Sequence, residues 1–325
     1  MPIPLEDIVA PIAVVALEGS ATDEAAVAAR NLANLGVSVD IGAFSPWKGA
    51  SITGVLQGIF GNEAGAPYGA WQGYSNIQAD PLVGAAEVFL AQDLGEVVAL
   101  RAGRIDGGGS FGVTRHGADF INPSFGVSPT MAGVPTFPEP TWGGEFEATP
   151  LSALSVMAGA YAGEGGPYLI GQIGSQWAAE QRGEGSAAAG AWHNGEGTGA
   201  FAVVDQQVLG MPGERGLTGF AQLGLARPLD GGARAHLGGG FVLHGPLTAR
   251  SDDAVGVGVS WAALPDSLPD SLSAAYDGAK SETIAEVWYE AALAAELAIR
   301  LDVQAFVRSP SQTGGIATIR TQFSL

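Results

Sequence analysis

Cysteine is absent from this 325-residue chain, which excludes a disulfide scaffold, thiol catalysis and any cysteine–zinc site. Charge is scarce: only 14% of residues are Asp, Glu, Lys or Arg, against about 25% in typical soluble domains. Basic residues are scarcer still, 14 against 33 acidic ones, for a formal net charge of −19. That balance argues against a nucleic-acid partner and against attraction to anionic lipid surfaces. The four histidines, His116, His193, His236 and His244, are scattered and lack metal-ligand spacing of the HExxH kind. The glycine-rich stretches lack a P-loop Lys-Ser/Thr ending, so neither a metal nor a cofactor is implied. Long apolar runs are missing too. A membrane helix needs about 18 apolar residues, and the nearest run, Ile8 to Leu17, is broken by Pro11. Any membrane-spanning form of this chain must therefore be a β-barrel. No basic region precedes that run, which makes it a poor signal peptide; export would imply a signal already removed.

Glycine, by contrast, is abundant, at 50 residues, roughly twice the usual share and without a collagen period. The organising pattern lies at the end of the chain. In 297–308, Leu297, Ile299, Leu301, Val303, Ala305 and Val307 share one face, while Ala298, Arg300, Asp302, Gln304, Phe306 and Arg308 share the other. A period of two marks a β-strand. The preceding segment repeats it, with Val287, Tyr289 and Leu293 opposing Glu286, Trp288 and Glu290, and so does 317–325. A soluble sandwich would bury the apolar face; a transmembrane barrel would turn it to lipid and the charged face to a water-filled lumen. Alternation alone leaves both open.

In chain order, strands are expected near 7–18, 36–44, 50–61, 84–92, 95–104, 142–149, 153–162, 168–179, 185–193, 199–208, 216–226, 233–244 and 253–262, before the last three. Residues 21–30 read as a helical turn or a loop. The total is about sixteen strands, a size at which a barrel leaves an aqueous channel. No linker or fixed repeat divides the chain, so residues 1–325 read as a single domain. Two stretches break the rhythm, 105–141 and 263–281. The first carries Phe111, Phe120, Phe125 and Phe137, which argues against disorder.

Several short segments then acquire a common meaning. Leu100-Arg-Ala-Gly-Arg104, Phe111, Phe120-Ile-Asn-Pro-Ser-Phe-Gly126 and Pro129 resemble the carbohydrate-selective porin family, the OprB type. Gln72-Gly-Tyr-Ser-Asn-Ile77, Ala202-Val-Val-Asp-Gln206 and Glu282-Thr-Ile-Ala-Glu-Val-Trp-Tyr289 match in the same order. The resemblance implies an all-β, transmembrane, antiparallel up-and-down barrel of about sixteen strands in the bacterial outer membrane. It implies passive diffusion of small hydrophilic solutes, sugars above all, with outer-membrane lipid outside and a homo-oligomer left open. In such porins a long loop folds inward as a constriction, here 105–141. The chain departs from the family in having only Arg115 and His116 as basic groups in that loop, and in ending at Leu325 with Phe323 as the last outward aromatic.

The pore-lining residues expected on this reading are Arg101, Arg104, Asp106, Arg115, Asp119, Asn122, Glu145, Glu147, Glu286, Trp288, Glu290, Arg300, Asp302 and Gln304. Each has a plainer role beside it. Arg101 and Arg104 are expected first to pair with lumen carboxylates such as Glu145, Glu147, Glu286 or Glu290, because buried charges are paired, and only second to track sugar hydroxyls. Asp106, Arg115, Asp119 and Asn122 would converge on the constriction or cap loop turns. Trp288 would pack against the inserted loop before offering a face to a sugar ring. Two other functions stay in view: a glycine-rich secreted β-solenoid or adhesin, and, less favoured, an outer-membrane barrel enzyme with a Ser–His pair on its exterior. Against the enzyme, His236 and His244 both fall on the inferred inward face of 233–244, and only geometry can reveal a triad.

Overall fold

A computed structural model describes residues 8–22, 27–62, 70–131, 133–163, 165–179, 183–211, 215–227, 232–246, 250–265, 278–310 and 312–325. Sixteen strands follow one another along the chain: β1 Val9–Thr22, β2 Val27–Asp40, β3 Ala50–Asn62, β4 Leu82–Leu94, β5 Val98–Ile105, β6 Thr141–Leu151, β7 Leu154–Tyr161 and β8 Tyr168–Ala179. The second half comprises β9 Gly183–His193, β10 Thr198–Met211, β11 Arg215–Arg227, β12 Ala235–His244, β13 Ala254–Ala263, β14 Ser281–Ala294, β15 Leu297–Arg308 and β16 Gln312–Ser324. Each pairs antiparallel with its sequence neighbours, and β16 returns to β1 to close the barrel. A four-residue helix, α1, Pro123–Gly126, lies between β5 and β6.

Burial on each strand settles what alternation left open. On β15, Leu301, Val303 and Val307 are each more than half exposed, while Asp302, Gln304 and Arg308 are only 2–3% exposed. On β14, Val287 is exposed and Glu286 fully buried. Apolar out and polar in is the reverse of a soluble sandwich and the pattern of a transmembrane barrel.

The strand reading departs from expectation at the start of the chain. Residues 27–30 are strand, because Ala28, Arg30 and Leu32 turn inward while Val27 points out. The alanines there hide the period, since they suit either face. Ile41–Ala43 forms a 3-10 turn rather than the end of a strand. Of the stretch 263–281, residues 266–277 lie outside those described.

The closure of the barrel is held by charge. Glu18 on β1 accepts from Arg30 Nη1 of β2 at 2.5 Å and from Arg320 Nη2 of β16 at 2.6 Å, with all three side chains almost wholly buried. Ser20 and Thr318 share a hydrogen bond across the same seam at 2.9 Å. Removing one member of a buried ion pair costs about 3–5 kcal/mol, because the remaining charge stays desolvated. Glu18→Ala should therefore lower the unfolding free energy of the detergent-solubilised barrel by that order, seen as a lower denaturant midpoint by tryptophan fluorescence. An unchanged midpoint would mean that the seam is held by its backbone ladder alone.

Candidate functional site

The inner wall does not stand alone. The segment between β5 and β6 lies against it. Phe120 packs edge-on to Trp288 with ring centroids 5.7 Å apart, and Phe125 and Phe220 complete that cluster. Phe111 joins Ile105, Tyr161, Tyr168, Trp192 and Phe201 in a second cluster. Phe137 covers Ala16, Leu32, Ile59 and Ile77. Each buried phenylalanine contributes roughly 1.5–3 kcal/mol. The wall makes room by omitting side chains: a Cβ at Gly258 would lie 2.7 Å from the Phe125 ring, and one at Gly256 2.3 Å from Trp288.

Polar contacts fix the segment more narrowly. Asp205 of β10 accepts from the backbone N–H groups of Arg115 and His116, both at 3.0 Å. Glu286 of β14 accepts from those of Ile121 at 2.7 Å and Asn122 at 3.0 Å. The stretch before β4 is held in the same manner, its Trp71 and Gln72 N–H groups donating to Glu282 at 2.8 and 2.9 Å. The two inserted stretches also bind each other, through Asn76 N–H to the Ile121 carbonyl at 2.8 Å and Asn122 Nδ2 to the Gly73 carbonyl at 2.9 Å.

The anticipated lining residues now separate. Arg101 pairs with Glu145 and donates to Ser110 Oγ at 2.8 Å. Glu290 pairs with Arg300 at 2.7 Å, and Arg300 stacks over Trp288 at 4.3 Å. Asn122 is fully buried as the cap of α1, accepting from Ser124 N–H at 3.0 Å. Gln304 donates to the Tyr74 carbonyl at 2.9 Å and to Asp302 at 3.1 Å. Asp106 caps a turn through Gly109 N–H at 3.1 Å; burial pushes its carboxyl above the ordinary range, opposed by hydrogen bonds from Thr136 and nearby backbone. Arg115 and Asp119 border open space: Arg115 lines a cavity of about 550 Å³ and Asp119 another of about 400 Å³. Glu147 is exposed, its carboxylate without a hydrogen-bond or ion-pair partner among the described residues.

Arg104 is the exception. Its register partners, Val88 and Trp142, are exposed on the outer face, and its Nε donates to the Ala86 carbonyl at 3.1 Å. An odd spacing of three from Arg101 puts it on the opposite side of the sheet, so the expected pairing with a lumen carboxylate is not made among the described residues. The residues that sequence reasoning missed are Glu18, Arg30, Arg320, Asp205 and Glu282. Arg30 was hidden by the loop reading of 21–30; Asp205 and Glu282 sit in segments already marked by the resemblance.

The sequence profile of the carbohydrate-selective porins, OprB family, matches residues 31–197 and 178–324. The chain belongs to that family. No curated protein sequence matches. Among solved structures, the high-pH form of OprB from Pseudomonas putida is similar over 99% of this chain and 95% of that one, with a TM-score of 0.86 at 16% identity. Its low-pH form scores 0.68 at the same identity, covering 99% and 94%. The outer-membrane channel DcaP of Acinetobacter baumannii scores 0.62 at 11% identity, covering 98% and 97%. At such identities the likeness shows the fold. As an OprB-family porin the chain is a passive outer-membrane channel, and the solenoid and barrel-enzyme readings give way to it.

For an OprB-type barrel, the grip on the long segment is testable without measuring transport. A hydrogen bond to a charged acceptor contributes about 1.5–3 kcal/mol. Asp205→Ala removes the acceptor for two N–H groups beside Arg115, so trypsin should cut after Arg115 at least about tenfold faster than in the unaltered barrel. Equal cleavage rates would show that Asp205 does not hold the segment.

Proposed function

We propose that the protein passes monosaccharide-sized, uncharged sugars, through an opening narrowed by residues 105–141 together with residues 70–79. What carries the reading is that wall carboxylates bind both stretches through backbone N–H pairs. This anchoring leaves the remaining polar side chains lining the open space. Asn34, Gln57, Asn76, Asp119, Arg300 and Gln322 border the cavity of about 400 Å³ and supply donors and acceptors matched to hydroxyls. A pore selects by diameter and by the groups along it, and weak, multi-point hydrogen bonding suits release as well as entry. On this reading residues 1–325 act as one domain. The exposed apolar band meets lipid, or a second copy where the protein assembles as a homo-oligomer. The end carrying the longer connections faces outward, as in other bacterial barrels.

Ion preference follows from which charges are already engaged. Arg300 and Arg320 are neutralised by Glu290 and Glu18, whereas Glu87, Asp106 and Asp119 border the same space with no arginine or lysine ion-paired to their carboxylates among the described residues. The opening is therefore acidic, and screening weakens that bias as salt rises. Liposomes carrying the protein should swell faster in a monosaccharide than in a trisaccharide. Planar bilayers under a salt gradient should give a cation-selective reversal potential that shrinks at high salt. Swelling that ignores sugar size, or clear anion selectivity, would refute the proposal.

A further inference from the structure

The four histidines, unremarkable in sequence, do not fare alike in space. His193 sits at a strand end with its ring against the Gly197 carbonyl at 3.1 Å. His236 is buried and shares a hydrogen bond with Ser260 at 2.9 Å. His116 and His244, 128 positions apart by number, come together with ring centroids 5.6 Å apart. Asp119 joins them: its Oδ2 is 3.4 Å from His116 Nδ1, and one ligand atom from each of the three lies within 4.8 Å of the others.

The arrangement is built from fixed parts. His116 is held by the bond from its backbone N–H to Asp205. A turn closed by Ala118 N–H to the Thr114 carbonyl at 3.0 Å carries Asp119 back over it. His244 ends β12 on the same face as buried His236 and Val242. Neither of its ring nitrogens has a hydrogen-bond partner among the described residues. Arg300 does not compete for the carboxylate, because it donates to the backbone carbonyl of Asp119 and pairs with Glu290.

We propose that His116, Asp119 and His244 form a site for a divalent transition-metal ion of the zinc, copper and nickel class, with water completing its coordination. Two imidazoles and one carboxylate suit those ions and do not suit magnesium or calcium, which prefer oxygen-only sets. Ligand bonds of about 2.0–2.2 Å bring neighbouring ligand atoms to about 3.5 Å. The closure from the present spacing is of the order that side-chain rotation supplies, and His116 and Asp119 are 19% and 37% exposed. A bound ion would tie the segment 105–141 to β12, in addition to the strands whose side chains already hold it.

Isothermal titration of the tag-free, chelator-treated full chain in detergent with zinc chloride tests the site. One ion per chain is expected, with copper binding more tightly than zinc, manganese more weakly, and magnesium not measurably. His244→Ala and Asp119→Asn should each weaken zinc binding at least about tenfold, while His193→Ala leaves it unchanged. Unheated gel mobility confirms that each variant has folded, and the metal series on the unaltered chain decides the matter even if a variant fails to fold. Absence of stoichiometric zinc binding, magnesium binding as tightly as zinc, or a folded His244→Ala variant with undiminished affinity would overturn the proposal. Because the readout is binding in detergent, none of these outcomes bears on whether the barrel conducts.

Discussion

Irregular backbone can enter a barrel only if its N–H groups find acceptors there, and this structure supplies them as carboxylates fixed on strands. Glu282, Asp205 and Glu286 each take two consecutive N–H groups, at 71–72, 115–116 and 121–122. An unpaired buried N–H costs about 1–3 kcal/mol, and an ionised acceptor makes the stronger bond. The carboxylate likewise gains, since a lone buried charge is far costlier than a bonded one. Wall and inserted segments therefore solve each other's problem. Glu282 extends the logic by also binding Arg308 at 3.1 Å, so that one side chain joins the segment before β4 to two adjacent strands.

The same constraint accounts for the composition. Wall positions facing buried aromatics have no room for a side chain, as at Gly258 against Phe120 and Phe125 of the inserted segment and at Gly256 against Trp288 of the neighbouring strand, which gives part of the high glycine content a packing reason. The low count of basic residues follows from what those residues do. Arg30, Arg300, Arg308 and Arg320 are each committed to a specific carboxylate. Arginine suits that duty, because its planar fork binds carboxylate oxygens with little loss of freedom. Fixed arginines of this kind shape the inner surface more than they charge it.

Much of the barrel was legible in the sequence because a strand repeats every two residues and needs no partner to be recognised. β8 and β15 match the expected bounds, 168–179 and 297–308. The pattern failed where alanine blurred it, at residues 27–30, and where an odd spacing flipped a face, at Arg104. The aromatic content of 105–141 pointed to burial, and Phe111, Phe120 and Phe125 are buried. The carboxylate grips were not legible, because their partners are backbone N–H groups that no side chain announces. Nor was the meeting of His116, Asp119 and His244, which depends on how a turn in one segment faces the end of a strand far along the chain.

The central claim, that the segment held by Asp205 and Glu286 limits the opening, meets its most direct test in single-channel conductance. Replacing residues 110–135 with a short Gly-Ser linker removes the segment and leaves every strand in place. The account predicts a larger unitary conductance and passage of a trisaccharide that the unaltered channel retards. A variant that folds to the same closed barrel, yet conducts and sieves as before, would contradict it.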